Sequence, residues 1–368
     1  MARYLICAGG TGGGVYPALA VLNALRQQQS QAEFLWVGGQ GGMEAALVER
    51  AGVLFKSIPA AGLHGVGPTQ IPANLAALTR GFFQARLLVQ EFQPDAIFFT
   101  GGYVAGPLAL AARKIPSLVY VPDIEPGLAL KALARFASRI ALTSEESRVF
   151  FSGRRAKLRV TGYPLRPEVI SWHRAAARAQ FNLRSELPVL LIFGGSKGAH
   201  SINLATLEHL ENLLEKVEVI HISGEGDWPL VEARAQALPP ALTKRYHPFA
   251  YLHDEMGAAL AAADLAVSRA GASALGEFPA FGLPAVLIPY PHAWRYQRVN
   301  ANYLAKRGAA LVIEDEKLKS GLFLTVEKLL ETPEKMQKMR QEMQSLHNPQ
   351  AAAQIAAHLI ELAGGRHG

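Results

Sequence analysis

The chain has 368 residues, half of them hydrophobic and 18% charged. That is enough apolar material for two or three cores at about 150 residues per domain, and it excludes global disorder. A net charge of +7 favours an anionic partner (nucleotide, nucleic acid or acidic lipid) without choosing among them, and a single cysteine, Cys7, excludes an internal disulfide and a cysteine metal cluster and fits a reducing compartment.

In chain order, residues 1–7 hold one Arg and too short an apolar run for a signal peptide. Residues 4–7 read as a first strand, followed by a glycine run and a helix over 17–27. A strand at 34–37 and a helix over 42–50 follow. Residues 71–83 place Leu75, Leu78 and Phe82 on one helical face, with Arg80 and Arg86 nearby. Such a helix either lies in a core or rests on an anionic membrane surface. Lys131, Arg135 and Arg139 form a second basic row. Further strands are expected at 96–99, 117–121, 139–143 and 159–160. The longest uncharged stretch, 96–112, contains Gly101, Gly102, Gly106 and Pro107 and falls short of a membrane-spanning helix.

At Gly162-Tyr163-Pro164 the alternation halts, and a polar stretch covers 172–184. It restarts with an apolar strand at 189–193 and a second glycine run. Strands are then expected at 217–222, 265–267, 285–288 and 310–313. Met336, Met339 and Met343 recur at helical spacing and read as core packing. Asn348-Pro349 opens a final helix over 350–362. Two βαβ halves, each opening with strand, glycine turn and helix, predict an α/β protein. Its two Rossmann-like domains would face a central cleft, with a linker near 161–166. The expected domains are 1–162, 163–345 and a terminal segment 346–368 whose helix packs back on the first.

The first turn, Gly9-Gly10-Thr11-Gly12-Gly13-Gly14, lets the backbone approach an anion at a helix N-terminus. The alternative is a tight turn alone. It is out of register with G-x-G-x-x-G, and Trp36-Val37-Gly38-Gly39 lacks the ribose acid of a dinucleotide fold, which disfavours NAD. The second turn, Gly194-Gly195-Ser196-Lys197-Gly198-Ala199, lacks P-loop spacing but offers backbone N–H groups, the Ser196 hydroxyl and Lys197 to a diphosphate. After the strand at 265–267 come Ser268, Arg269, Ala270, Gly271, Ala272, Ser273, Ala274, Leu275, Gly276 and Glu277. Arg269 suits a phosphate, and Glu277 suits two ribose hydroxyls or a helix dipole. Gln297 and Asn300 suit sugar hydroxyls. No Asp-x-Asp pair exists, and Glu314-Asp315-Glu316 reads as a solvated turn. His64, His173 and His292 show no metal-ligand spacing, so no metal is expected.

Taken together these residues resemble the MurG family of GT-B glycosyltransferases, over nearly the whole chain and in order. The landmarks are Gly9 to Gly13 with Tyr16-Pro17, Met43-Glu44, Gly101-Gly102-Tyr103-Val104 and Pro164-Leu165-Arg166. They continue with Gly194-Gly195-Ser196, Gly198-Ala199, Ser223-Gly224, Arg269, Gly271-Ala272, Glu277, Gly282-Leu283-Pro284, Gln297 and Asn300-Ala301. The resemblance implies transfer of N-acetylglucosamine from UDP-N-acetylglucosamine (UDP-GlcNAc) to an undecaprenyl-diphosphate-linked N-acetylmuramyl-pentapeptide, with inversion. It serves peptidoglycan and cell wall biogenesis, and through them cell shape and division. It implies no cofactor, no nucleic acid partner and a peripheral place on the anionic cytoplasmic face of the membrane. It puts uracil at the backbone of Leu252-His253, ribose at Glu277 and the donor diphosphate at Ser196 with Arg166 near. Gln297 and Ala272 would meet the donor sugar, and Thr11, Gly12 and Gly13 the acceptor diphosphate.

Three positions depart from the family. Gly14 stands where the first turn normally ends in His. Val121-Pro122-Asp123-Ile124-Glu125-Pro126-Gly127 replaces a His-Glu-Gln-Asn segment, and Tyr296 replaces the first of two paired Gln residues. Asp123 or Glu125 is therefore the candidate for the base, against the alternative of a turn acid before Pro126. The other functions weighed are a UDP-sugar epimerase of the same architecture and a non-catalytic relative that binds UDP-sugar or lipid.

Overall fold

A computed structural model describes residues 1–10, 12–42, 44–62, 66–153, 157–183, 186–292 and 296–365. Two units emerge: Met1–Arg166 with Asn348–Gly368, and Pro167–His347. Each is a parallel sheet with helices between its strands, the expected α/β plan.

In the first unit the strands are β1 (Arg3–Cys7), β2 (Glu33–Gly39), β3 (Leu54–Ile58), β4 (Ala96–Phe99), β5 (Ser117–Val121), β6 (Arg139–Leu142) and β7 (Leu158–Val160). Their order is β3-β2-β1-β4-β5-β6-β7. The sequence reverses direction between β1 and β4, whose register pairs Cys7 with Phe99. Parallel strands are covered on both faces, which is why β4 and β5 read as unbroken apolar runs. Leu5, Cys7, Ile97, Phe99 and Val119 from these strands share one core with Val104, Leu108 and Leu133 of the covering segments.

In the second unit the strands are β8 (Val189–Phe193), β9 (Glu218–Ile222), β10 (Tyr246–Phe249), β11 (Leu265–Ser268), β12 (Ala285–Leu287) and β13 (Ala310–Val312), in the order β10-β9-β8-β11-β12-β13. The reversal lies between β8 and β11. Leu190, Ile192, Val267 and Val286 form its core, with Met339 buried in it and Met336 packed against it.

Two strands escaped the apolar-run criterion, β3 and β10, and both are edges. β3 buries only Ile58 fully, and β10 contains Pro248, which an edge strand tolerates because one side of it needs no ladder hydrogen bond. The first helix begins at Gly12, not at Pro17, and runs to Gln28. Glycine's poor helix propensity hid that opening turn, which tertiary packing of the buried Val15 supplies. The polar stretch after the linker holds a helix, Arg174–Gln180, with Ala177 buried.

The terminal helix Ala351–Gly364 packs on the helix Gly12–Gln28 of the first unit. Its approach is fixed by Asn348, which donates from Nδ2 to Thr161 O at 2.8 Å, and by Arg139, which donates to Glu361 at 2.5 Å. The 22-residue helix Ile71–Phe92 buries only Gly81 and Ala85. A Cβ at Gly81 would stand 2.1 Å from Pro59 O, so glycine sets that close approach.

A buried polar chain runs behind the second glycine turn. Tyr246 meets His221 Nδ1 at 2.8 Å, His221 Nε2 meets Asn203 Oδ1 at 3.0 Å, and Asn203 Nδ2 donates to Asp227 at 2.7 Å and to Ser223 O at 2.8 Å. Burial pushes the His221 pKa down to about 4, against a smaller upward pull from Asp227. The unfolded chain takes that proton near pH 6.5 and the folded one only near 4, so the stability contributed is full above 6.5 and is lost as pH falls to 4. The loss amounts to about 3 kcal/mol at the limit. Chemical denaturation between pH 7 and 4 is expected to show that slope, and His221→Gln to flatten it. An unchanged slope in the variant would show that His221 is not held neutral.

Candidate functional site

In a doubly wound sheet, ligands meet the crevice at the carboxyl ends of the strands where the order reverses. Each unit has one.

In the second unit this crevice is walled by the turn after β8. Gly195 and Gly198 take φ of +86° and +74°, and a Cβ on Gly198 would lie 2.1 Å from Ser223 O. Only glycine permits that packing. It leaves Ser196 and Lys197 exposed at the start of the helix His200–Glu208, whose N-terminus carries partial positive charge. Facing this turn is the segment after β11. Ala272–Leu275 makes one tight turn, with Gly271, Ala272 and Ser273 half-buried and Ala274, Leu275 and Gly276 buried. Half-buried Glu277 then opens the helix Glu277–Phe281.

Arg269 departs from its expected role. It is 9% exposed, and its guanidinium donates to Asp315, to Ser201 Oγ at 2.8 Å and to Ile288 O at 3.3 Å, while lying 5.1 Å from the Tyr290 ring. It braces the segments after β8, β11, β12 and β13, and its charge is met by a carboxylate of the protein. Glu314-Asp315-Glu316 is accordingly no solvated turn: Asp315 holds Arg269 and Ser201, and Glu314 pairs with Arg298.

Asn300 is likewise corrected. It is fully buried and donates from Nδ2 to Ala270 O at 3.1 Å, so it holds the loop instead of reaching for a sugar. Gln297 is half-buried and accepts from Tyr290 N at 2.9 Å through Oε1. His253 is exposed in the segment after the edge strand β10, its ring 4.7 Å from that of Tyr251.

In the first unit the turn after β1 and the turn after β4 meet backbone to backbone. A Cβ on Gly102 would stand 2.8 Å from Gly9 O. Beneath them Glu44, fully buried, accepts from Gly39 N at 2.8 Å and Gly10 N at 3.4 Å. Side chains on Gly9, Gly38 or Gly42 would each collide with its carboxylate. The sequence marked Glu44 as a landmark without a role; its place as anchor of the turn shows only in three dimensions. Thr11 lies outside the described residues. Gly12, Gly13 and Gly14 form the opening of the first helix, and the Tyr16 ring lies against Gly12.

Arg166, expected beside Ser196, belongs to this unit, its guanidinium 4.6 Å over the Tyr16 ring. Tyr103 is 62% exposed and lies against Gly62, whose carbonyl accepts from Asn74 at 2.7 Å. The two candidate acids after β5 separate. Glu125 is buried, with Oε1 3.3 Å from Lys131 Nζ, and that ammonium lies 5.1 Å from the Phe150 ring. Asp123 is half-buried, in the segment that follows β5. An ion-paired interior carboxylate such as Glu125 fits anchoring better than proton transfer.

Comparison with known proteins supplies a family. Residues 4–142 match the glycosyltransferase family 28 N-terminal domain, and residues 189–357 the glycosyltransferase family 28 C-terminal domain. A relative from Roseiflexus sp. (strain RS-1) is 42% identical, covering 96% of this chain and 93% of its own. It is named UDP-N-acetylglucosamine--N-acetylmuramyl-(pentapeptide) pyrophosphoryl-undecaprenol N-acetylglucosamine transferase. The crystal structure of Acinetobacter baumannii MurG is similar with a TM-score of 0.76 at 25% identity, covering 98% of this chain and 100% of that one. A Neisseria meningitidis UDP-GlcNAc 2-epimerase bound to UDP-GlcNAc reaches a TM-score of 0.70 at 15% identity, covering 98% of this chain and 100% of that one. That second likeness is one of fold.

The Arg269 brace generates a test. Asp315→Ala leaves a largely buried guanidinium without its carboxylate, which is expected to cost about 2 kcal/mol or more of stability in chemical denaturation. A variant as stable as the parent would show that the brace is dispensable.

Proposed function

The chain belongs to glycosyltransferase family 28, and we infer that it transfers N-acetylglucosamine from UDP-GlcNAc to N-acetylmuramyl-(pentapeptide) pyrophosphoryl-undecaprenol, the lipid I to lipid II step of peptidoglycan synthesis. The observation that carries this reading is the end-to-end identity of 42% with a relative of that name.

The residues take roles accordingly. The donor diphosphate rests on the turn Ser196-Lys197-Gly198 and the helix N-terminus behind it, where N–H groups and a cation meet the charge released with UDP. Glu277 accepts from the ribose hydroxyls, and the backbone at Leu252 and His253 faces uracil. Ala272 and Gln297 flank the sugar, and Asn300 and Arg269 position the loop that carries Gly271 to Gly276. The acceptor diphosphate seats on the first turn, with Gly12, Gly13 and Arg166, and Tyr103 lies at its rim.

Reaction is a single displacement. The acceptor C4 hydroxyl oxygen bonds to the anomeric carbon from the face opposite UDP, the bond from that carbon to UDP breaks, and the hydroxyl proton passes to Asp123. One displacement inverts the anomeric centre.

Membrane attachment belongs to the same proposal. Among the described residues no helix is long and apolar enough to cross a membrane. On the helix Ile71–Phe92, Leu75, Phe83 and Leu87 are 55%, 59% and 65% exposed, and Leu78 and Phe82 are half-buried. With Arg80 and Arg86 they suit the anionic cytoplasmic face of the membrane, where a cell-wall enzyme of cell shape and division would meet its lipid.

UDP release from UDP-GlcNAc is expected only when the lipid acceptor is added. Conversion without acceptor would mean an epimerase, and binding without turnover a non-catalytic relative. Asp123→Asn is expected to lower kcat about 100-fold or more, while Glu125→Gln lowers the melting temperature and retains turnover. Full activity in Asp123→Asn removes the base assignment.

Vesicle co-sedimentation supplies a separate check. Leu75→Glu with Phe83→Glu is expected to weaken partitioning onto anionic vesicles about 100-fold or more, at about 1.5 kcal/mol per side chain no longer buried. Unchanged partitioning would reject this helix as the contact.

A further inference from the structure

Thr100 follows β4 at the reversal point of the first sheet, its N–H donating to Cys7 O of β1 at 3.2 Å. The residue is 3% exposed, and its hydroxyl is buried without a hydrogen-bond partner. Folded proteins pair nearly all such atoms, and valine would fill the same volume at no polar cost. What faces the hydroxyl is Gly14, in the first turn of the 17-residue helix Gly12–Gln28: a Cβ there would stand 3.2 Å from Thr100 Oγ1 and 3.5 Å from Thr100 O. Any side chain at position 14 would press on the hydroxyl, and the Gly14 backbone lies over it.

The surroundings of this hydroxyl are those of an anion. The N-terminus of a long helix carries partial positive charge. Tyr16 lies against Gly12 and holds the Arg166 guanidinium 4.6 Å from its ring. A carboxylate of the protein, Glu44, already takes Gly10 N, which leaves the Gly12–Gly14 end for a ligand. Reaching Thr100 requires this end to lift, and three successive glycines are the backbone best able to move.

We propose that the Thr100 hydroxyl donates a hydrogen bond to a phosphate oxygen of the lipid diphosphate acceptor as it seats on the first glycine turn. The proposal rests on the acceptor reading above and adds a contact that discriminates acceptor from donor. Thr100 is thus a binding residue whose partner arrives with the substrate.

The experiment is calorimetric titration of the full chain and its Thr100→Val and Thr100→Ser variants with geranyl diphosphate, with inorganic pyrophosphate and with UDP-GlcNAc. Thr100→Val is expected to keep or raise the melting temperature and to bind geranyl diphosphate at least about tenfold more weakly, with UDP-GlcNAc affinity unchanged. Thr100→Ser is expected to stay within about threefold of the parent. A parallel loss for pyrophosphate shows that the diphosphate itself is what the hydroxyl meets; a loss confined to geranyl diphosphate puts the contact elsewhere on the lipid and overturns the proposal. Equal geranyl diphosphate binding by parent and Thr100→Val overturns it too, as does no binding by the parent or an equal loss for UDP-GlcNAc. Acceptor-dependent UDP release by the parent is scored separately, so a failed transferase reading and a failed Thr100 contact give different results.

Discussion

Both units depend on backbone packing against backbone at the carboxyl ends of neighbouring strands. At Gly102 against Gly9 O, and at Gly198 against Ser223 O, the room left for a Cβ is less than any side chain needs. The consequence is directional. With the strand-end turns drawn together, the helices that follow β1 and β8 start beside the crevice, and their unpaired N–H groups face whatever enters it. Anion binding in this fold is therefore a product of where side chains are absent, and the named side chains adjust what the backbone already provides.

Charged residues at these crevices mostly serve the loops. Arg269 stands at a strand end beside the reversal, the position from which a cation would reach a phosphate, yet its guanidinium is enclosed by Asp315, Ser201 and the Ile288 carbonyl. A buried cation without a partner would be expensive, and the carboxylate that neutralises it also fixes the segment after β13. Glu125 and Lys131 repeat the arrangement in the first unit. At the second turn Ser196 and Lys197 are exposed beside the glycine backbone. This division separates scaffold from chemistry more sharply than residue type does.

How much of this was legible in the sequence follows from range. Apolar runs and glycine turns are local signals, so the strands that carry the crevices and the restart of the pattern at 189–193 were readable directly. Edge strands β3 and β10 were not, because an edge buries little and tolerates proline. Arg269, Asn300 and Asp315 were assigned by type and by distance along the chain from a strand, which says which loop a residue occupies but not which way it points. Asp315 lies 46 residues from Arg269, and no local pattern connects them. Glu44 was visible as a landmark, but its cage of Gly9, Gly38 and Gly42 draws on two separate segments. Thr100 carried no signal at all, since a threonine ending a β-strand is ordinary until its hydroxyl is found unpaired.

The two turns also differ electrostatically. Under the first turn lies the Glu44 carboxylate, which already takes the Gly10 amide and whose charge opposes an incoming dianion. At the second, Lys197 is exposed beside the amides, and the Asp315 charge is spent on Arg269. The second turn is therefore the more favourable of the two for an anion. The nearest cation to the first is Arg166, held over the Tyr16 ring. A lipid held at a membrane surface does not need strong attraction to its turn, because confinement to the surface already raises its local concentration. A donor arriving from solution has no such advantage. Under the proposed assignment of donor and acceptor, the stronger anion site lies where diffusion must supply the ligand and the weaker one where the membrane does.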